Sequence, residues 1–198
     1  MIKNVIFDIG NVLLDFCWKD HIARFGFQGE KADRIAQAMM LGPIWPKLDL
    51  GLESDEDILE QFVAHTPELE QEIRLVFSDL STIVREYEGS VDWIESLKAR
   101  GYHTYYLSNY GERIRREASK ELSFLSHMDG GIMSYTVHLA KPDPAIYQTL
   151  LDRYGMKAEE CVFLDDTVRN VEAAQALGIA GIVVTSQEQV KKELETLL

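Results

Sequence analysis

The chain has 198 residues, of which 46% are hydrophobic, and its 33 acidic and 20 basic residues give a formal net charge of −13. This apolar content is ordinary for a globular protein and excludes disorder as the main state. The negative charge argues against nucleic acids and anionic membrane surfaces as partners.

The N-terminus does not predict a signal peptide, because its short apolar run continues directly into Asp8. No apolar run approaches the roughly 20 residues that cross a bilayer. Two cysteines, Cys17 and Cys161, are too few for a disulfide scaffold. Because no export signal is predicted, we expect a cytoplasmic protein. We take a monomer as the default oligomeric state and leave a homodimer open.

Five short apolar runs predict strands, and several are continuous, as in strands buried on both faces. They occupy residues 4–7, 103–107, 131–134, 161–164 and 181–184. Helices are predicted between and after the later strands, with starts at Ser90, Asp143, Thr167 and Ser186. Because strands and helices alternate, the sequence predicts an α/β fold with a parallel sheet.

The segment from about residue 16 to 88 interrupts this alternation. It has no strand-like run and is rich in helix-forming residues, so we interpret it as a helical insertion after the first strand. Residues 1–15 and 89–198 would then form the core. An insertion at this point would lie over the carboxyl ends of the strands, where α/β proteins bind ligands.

Carboxylates stand at the ends of two predicted strands. Asp8 ends the first strand, and Asp165 and Asp166 end a later one. Brought together in a parallel sheet, these groups would repel each other unless a cation joined them. Carboxylate oxygens are hard ligands of the kind that Mg²⁺ prefers.

Two further polar signals are predicted at the same edge of the sheet. Ser108 and Asn109 follow the second strand, and Lys141 stands just before a helix N-terminus, where anions are favoured. Each of these residues, taken alone, commonly has only a structural role. Their joint occurrence at strand ends indicates a site for an anionic ligand with a metal ion.

These residues resemble the four motifs of the haloacid dehalogenase superfamily, whose members are mostly phosphatases. Residues 7–13 are similar to the first motif, Ser108 to the second, Lys141 to the third, and Asp165 with Asp166 to the fourth. The resemblance spans the chain. It implies a Rossmann-like core with a helical cap at residues 16–88, and a Mg²⁺-dependent phosphoric monoester hydrolase.

The resemblance also implies roles for the carboxylates. Asp8 would be the nucleophile that forms an aspartyl-phosphate, and it would hold Mg²⁺ together with Asp166 and the backbone carbonyl of Gly10. Asp165 would support the metal ion or its bound water molecules without coordinating the ion directly.

The remaining motif residues would bind the phosphoryl group. Ser108 and the following amide, that of Asn109, would contact phosphoryl oxygens. Lys141 would neutralise charge on the nucleophile and on the transferring group.

Substrate choice is expected to depend on the insertion. Trp45, Lys47 and Asp49 lie in a stretch, 41–51, that is rich in Gly and Pro and reads as a loop. Trp45 and Lys47, with Tyr110, are candidates for contacting a sugar, which stacks on aromatic rings and bonds to polar groups. Packing of the insertion against the core is the alternative role for Trp45.

Gly10 departs from the family pattern, which has an acid/base Asp at this position. Three explanations stay open: a leaving group that needs little acid, another residue that replaces the Asp, or a protein that mainly binds phosphorylated ligands. The Asp-x-Gly-Asn-Val stretch, residues 8–12, resembles a phosphatase subgroup similar to sugar-1-phosphate phosphatases, which favours a working enzyme on a small phosphorylated metabolite such as a hexose 1-phosphate.

Two other functions remain alternatives. A metal-independent 2-haloacid dehalogenase would also lack the acid/base Asp at the position of Gly10. Asp165 and Asp166 would then form an acidic pair that no cation neutralises. The other is a non-catalytic protein that binds phosphorylated metabolites.

Overall fold

The computed structural model describes residues 1–198 and contains seven strands. They are β1 (Asn4–Phe7), β2 (Leu14–Phe16), β3 (Val84–Glu86), β4 (His103–Ser108), β5 (Gly130–Met133), β6 (Cys161–Asp165) and β7 (Ala180–Val183). Five of them form one parallel sheet in the order β5-β4-β1-β6-β7. The five predicted runs are these strands, each shifted by at most one residue, and the Rossmann-like α/β prediction is confirmed.

Ten α-helices surround the sheet or lie beside it. They are α1 (Trp18–Arg24), α2 (Gly29–Ala38), α3 (Trp45–Leu50), α4 (Asp55–His65), α5 (Glu70–Phe77), α6 (Ser90–Ala99), α7 (Glu112–Glu117), α8 (Pro144–Tyr154), α9 (Val168–Ala176) and α10 (Gln187–Glu195). Short 3₁₀ helices occur at Pro67–Leu69, Ser119–His127, Ser134–Thr136 and Ala158–Glu160. None of the helices combines the length and apolar character needed to cross a membrane.

The strand order places a crevice at the carboxyl ends of β1 and β6. From β1 the sheet extends through β4 and β5 on one side and through β6 and β7 on the other. The connections therefore diverge between β1 and β6, which is where α/β sheets leave room for a ligand. Asp8 follows β1 and Asp165 ends β6, so both carboxylates lie at this crevice.

A two-stranded antiparallel ribbon corrects the expectation that residues 16–88 contain no strand. Phe16 in β2 pairs with Val84 in β3, and Asp15 pairs with Arg85. Each strand has only three residues, and the central pair is charged, so no apolar run marks either strand in the sequence. The ribbon joins the two ends of the segment that carries α1 to α5. The exact division into core and cap stays a prediction.

The predicted helix starts hold with one exception. Asp143 and Ser186 accept hydrogen bonds from the backbone N–H groups of Ala145 and Gln189, as N-caps do. Ser90, in contrast, is the first residue of α6 rather than its cap. Its hydroxyl donates to the Leu13 carbonyl at 2.8 Å, which ties α6 to the loop after β1.

Helix α3 occupies part of the stretch that was expected to be a loop. Pro46 lies in its first turn, where a missing N–H removes no helical hydrogen bond. Gly51 ends the helix with a φ of 63°, and a Cβ at this position would stand 2.8 Å from the Cβ of Tyr135. Glycine is therefore required both by the backbone conformation and by the close approach to Tyr135.

Gly51→Ala is expected to destabilise the protein more than Gly155→Ala. Both glycines end a helix at a φ of 63°, but a Cβ at Gly155 would meet nothing within 4 Å. The left-handed conformation costs an alanine about 1–2 kcal/mol at either position, and only Gly51 adds a clash. Thermal and urea unfolding of the two variants would measure the difference, and equal losses of unfolding free energy would show that the contact with Tyr135 relaxes without cost.

Candidate active site

A cavity of about 270 Å³ opens at the carboxyl edge of the sheet, between the sheet and α3. It is lined by eight of the predicted site residues: Asp8, Gly10, Trp45, Ser108, Asn109, Tyr110, Lys141 and Asp166. Asp165 is fully buried next to them, and Lys47 does not reach the cavity. The structure thus brings together all the predicted site residues except Lys47.

Lys141 is buried between two carboxylates. Its Nζ lies 2.9 Å from Asp8 Oδ1 and 2.6 Å from Asp165 Oδ2, and its side chain is 1% exposed. Burial alone would lower the pKa of Lys141, but the charges of the two carboxylates outweigh burial and raise it. Lys141 therefore supplies a fixed positive charge beside Asp8.

The Asp8 carboxylate is held at the end of β1 and is 8% exposed as a residue. Its Oδ1 accepts a hydrogen bond from the Ile9 N–H at 2.7 Å, in addition to the Lys141 ion pair. Burial and the charge of Asp165 raise the pKa of Asp8 to about 7, against the opposing effects of Lys141 and the Ser108 hydroxyl. A single lysine thus leaves the site with surplus negative charge, which a further cation would offset.

Three carboxylates could hold a metal ion. Ligand oxygens of Asp8, Asp165 and Asp166 lie within 4.8 Å of one another. Asp165 is already engaged, because it accepts hydrogen bonds from the Thr167 N–H at 2.7 Å and from Asn170 Nδ2 at 3.1 Å. Asp8 and Asp166 line the cavity, whereas Asp165 is fixed behind them. The donor set, all oxygen, fits a hard divalent cation.

The turn after β1 connects Asp8 to Asp166. Asn11 adopts a left-handed conformation with a φ of 55°, and its Nδ2 donates to Asp166 Oδ2 at 2.8 Å. Gly10 lines the cavity, and a Cβ there would meet nothing within 4 Å. The space beside Asp8 at this position is therefore open, and Gly10 has no side chain to exchange a proton.

Ser108, the last residue of β4, and Asn109, which follows it, make different contacts. Ser108 is 2% exposed and lines the cavity next to Asp8. The side chain of Asn109 brackets the backbone of Lys141, donating to its carbonyl at 3.0 Å and accepting from its N–H at 2.8 Å. The Asn109 side chain thus positions Lys141, which the sequence pattern did not indicate.

The helical geometry of α3 decides which of its residues face the cavity. Trp45 and Asp49 are four residues apart, so they share one face of the helix, and both line the cavity. Lys47 lies between them on the other face, where its Nζ donates to Gln61 Oε1 at 2.7 Å. The prediction of Lys47 as a substrate contact rested on treating this stretch as a loop.

Asp49 was absent from the predicted site residues, although its spacing from Trp45 would have indicated it. Burial and the charge of Asp8 raise the pKa of Asp49 to about 7, while Lys141 and the Gly111 backbone N–H oppose the rise. Four further polar residues of the cavity lining were also absent from the predicted site residues: Asn11, Thr167, Arg169 and Asn170.

Tyr110 closes part of the cavity wall and is 5% exposed. Its hydroxyl has no hydrogen-bond partner in the protein. Burial raises the pKa of Tyr110 far above its usual range, so the phenol stays protonated. Its backbone N–H donates to Ser134 Oγ at 2.9 Å, which fixes this loop against the segment after β5.

Comparison with known proteins gives consistent similarities. The haloacid dehalogenase-like hydrolase family profile matches residues 2–178. Acyl-CoA dehydrogenase family member 10 of Mus musculus is 30% identical over 207 residues, covering 99% of this chain, but the chain spans only 19% of that protein. Sesquiterpene phosphatase astK of Aspergillus oryzae is 25% identical over 201 residues, covering 99% of this chain and 96% of the relative.

A solved structure has the same fold. The HAD family enzyme bt-2542 of Bacteroides thetaiotaomicron, in its magnesium complex, superposes with a TM-score of 0.76 at 22% identity. The superposition covers 98% of each chain.

Proposed function

Because the chain belongs to the haloacid dehalogenase-like hydrolase family, we propose that it is a Mg²⁺-dependent phosphatase of a small phosphorylated metabolite. One observation carries the proposal. Asp8 pairs with the buried Lys141 at 2.9 Å, within a carboxylate cluster that includes Asp166 and opens into a 270 Å³ cavity. A carboxylate nucleophile, a fixed lysine and a cation site are what phosphoryl transfer requires.

Asp8 is the nucleophile in this proposal. One of its carboxylate oxygens attacks phosphorus, the bond between phosphorus and the leaving-group oxygen breaks, and an aspartyl-phosphate forms. The ion pair to Lys141 and the hydrogen bond from the Ile9 N–H orient the carboxylate. Ser108, at the adjacent strand end, donates its hydroxyl to a phosphoryl oxygen.

The residues present fit Mg²⁺, which would be held by Asp8, Asp166 and the carbonyl of Gly10. The ion supplies charge neutralisation on the phosphoryl oxygens when it is bound. Asp165 does not need to contact it, because its oxygens are occupied by Lys141, Asn170 and Thr167. Its part is to hold Lys141 in place.

The relatives support this reading in two respects. The protein from Aspergillus oryzae is named a phosphatase and matches this chain over almost its whole length. The enzyme from Bacteroides thetaiotaomicron, which shares the fold, was solved with magnesium.

A sugar phosphate, with a hexose 1-phosphate first, is the substrate class that we favour. Trp45 gives the cavity an aromatic wall, and the unpartnered hydroxyl of Tyr110 lies in the same part of the structure. Aromatic faces and a few polar groups are typical of sites that bind small polar ligands.

Phosphate release is expected to depend on Mg²⁺. Hexose 1-phosphates, hexose 6-phosphates and 4-nitrophenyl phosphate would be assayed with Mg²⁺ and with EDTA. Removing an ion worth several kcal/mol to the transition state should lower turnover by about 10³-fold, and added Mg²⁺ should restore it. The best substrate would then define the preference of the cavity.

Two outcomes would contradict the proposal. Halide release from a 2-haloacid in the presence of EDTA would indicate a dehalogenase. Tight binding of a phosphorylated ligand with no turnover of any substrate would indicate a binding protein.

A further inference from the structure

The reaction proposed above needs a proton donor that the turn after β1 does not provide. A sugar or alkyl oxygen leaves phosphorus readily only if it receives a proton, and general acid catalysis of this kind typically contributes about 10²–10⁴-fold. Gly10 lines the cavity beside Asp8 but has no side chain. A side chain that donates this proton must therefore belong to another element.

Most titratable groups that line the cavity are unsuited to this task. Asp8 is the proposed nucleophile, and Asp166 is a proposed metal ligand. Arg169 carries a guanidinium group, which does not serve as a proton donor of this kind in proteins. The phenol of Tyr110 and the ammonium of Lys141 also keep theirs, because the pKa of each is raised. Asp49 is the one remaining titratable side chain in the cavity lining.

The position of Asp49 suits proton transfer to the leaving group. Asp8 enters the cavity from the sheet, whereas Asp49 enters it from α3 in the helical segment. In-line displacement puts the leaving oxygen on the side of phosphorus away from the nucleophile. A carboxyl group on the wall contributed by α3 can meet an oxygen there.

The end of α3 is fixed firmly enough to place this carboxyl group. The Asp49 carbonyl accepts a hydrogen bond from Ser134 Oγ at 2.5 Å, and the Leu50 carbonyl is 2.9 Å from His138 Nδ1. Gly111 approaches α3 so closely that a Cβ there would stand 3.1 Å from Leu48. These contacts tie the backbone at Asp49 to the loops that follow β4 and β5.

We propose that Asp49 is the catalytic acid and base of this site. In the first step its carboxyl proton passes to the leaving oxygen as the bond between that oxygen and phosphorus breaks, giving an alcohol and the aspartyl-phosphate on Asp8. In the second step the Asp49 carboxylate takes a proton from water as the water oxygen attacks phosphorus. The bond between phosphorus and Asp8 breaks, inorganic phosphate leaves, and Asp49 is protonated again.

The environment of Asp49 agrees with both halves of this cycle. Burial and the negative charge of Asp8 raise its pKa to about 7, so both protonation states are populated near neutral pH. A group with such a pKa can donate a proton in one step and accept it in the next. An ordinary aspartate would be almost wholly ionised and a poor acid.

The test compares Asp49→Asn with Asp33→Asn, an exposed aspartate of α2 that lies outside the cavity. Asparagine keeps the shape of the side chain but cannot transfer a proton. With a hexose 1-phosphate, we expect Asp49→Asn to lower kcat by about 10²–10⁴-fold and Asp33→Asn to leave it unchanged. Calorimetry of inorganic phosphate with Mg²⁺ should show that Asp49→Asn still binds phosphate, so that a loss of folding is excluded.

Pre-steady-state kinetics with 4-nitrophenyl phosphate separate the two steps. Its leaving group needs no acid, so Asp49→Asn should release one equivalent of nitrophenolate per enzyme rapidly and then turn over slowly, because the second step lacks its base. Equal losses on both substrates without this burst, or full activity with the hexose 1-phosphate, would overturn the assignment.

The assignment rests on the proposed phosphatase function, and the same assays distinguish the two failures. If the wild type shows no Mg²⁺-dependent release and Asp8→Asn changes nothing, the phosphatase proposal fails. If the wild type is active and Asp8→Asn is inactive, but Asp49→Asn behaves like Asp33→Asn, only the role of Asp49 fails.

Discussion

Replacing Asp8 with Asn is expected to lower kcat by at least about 10⁴-fold, the scale on which loss of a nucleophile acts, while the chain stays folded. The amide cannot form the acyl phosphate, and it cannot offer a negatively charged oxygen to a metal ion. Folding should persist because Lys141 keeps its contact with Asp165 at 2.6 Å, and removing one of three clustered carboxylates relieves repulsion. Phosphate release with Mg²⁺ and thermal unfolding of the same preparation would measure both effects.

Asp92→Asn is the matched control for this substitution, because Asp92 is exposed on α6 and lies outside the cavity. It should retain the activity and the unfolding temperature of the wild type. Acid-quenched wild type mixed with substrate should gain the mass of one phosphoryl group, which Asp8→Asn should not. Substantial turnover by Asp8→Asn, or a phosphoryl group found on another residue, would remove Asp8 from the nucleophile's role.

The sheet could be predicted from the sequence because its strands are buried on both faces. A short continuous apolar run between helical segments, such as residues 161–164, indicates a buried strand. The ribbon of β2 and β3 could not be predicted in the same way. Its strands are three residues long, and the central pair of Asp15 and Arg85 is charged, so their pairing depends on the chain returning from α5.

The candidate site was predictable where it depends on strand ends and less so where it depends on tertiary contacts. Asp8, Ser108 and Asp165 stand at the ends of adjacent parallel strands, so a correct sheet brings them together. Asn109, in contrast, contacts Lys141 across 32 residues of sequence. No local pattern encodes such contacts.

The helical segment shows how one error of local structure changes a functional conclusion. With residues 41–51 treated as a loop, Trp45 and Lys47 were predicted as substrate contacts and Asp49 was not. In the helix α3, Trp45 and Asp49 both face the cavity because they are four residues apart, whereas Lys47 contacts Gln61. Pro46 and Gly51 suggested a loop, yet they are compatible with a helix start and a helix end.

Lys141→Met is expected to lower the free energy of unfolding by about 3–5 kcal/mol, the usual cost of removing one partner from a buried ion pair, and to abolish turnover. Lys141 is 4% exposed and is the cation that contacts both Asp8 and Asp165. Without it, Asp165 stays buried with no opposite charge. Urea unfolding would measure the loss, and Lys31→Met, which removes an exposed ion pair with Glu72, should cost less than about 1 kcal/mol.

The double variant Lys141→Met with Asp165→Asn separates stability from catalysis. Asp165→Asn removes the buried negative charge that Lys141→Met leaves without a partner. Most of the lost stability should therefore return, as when a buried ion pair is replaced by uncharged groups. Turnover should not return, because Asp8 would still lack the fixed positive charge that lies 2.9 Å from its Oδ1. A double variant as unstable as Lys141→Met would show that Lys141 stabilises the fold through its packing rather than through its charge, whereas recovered turnover would show that catalysis does not require the lysine.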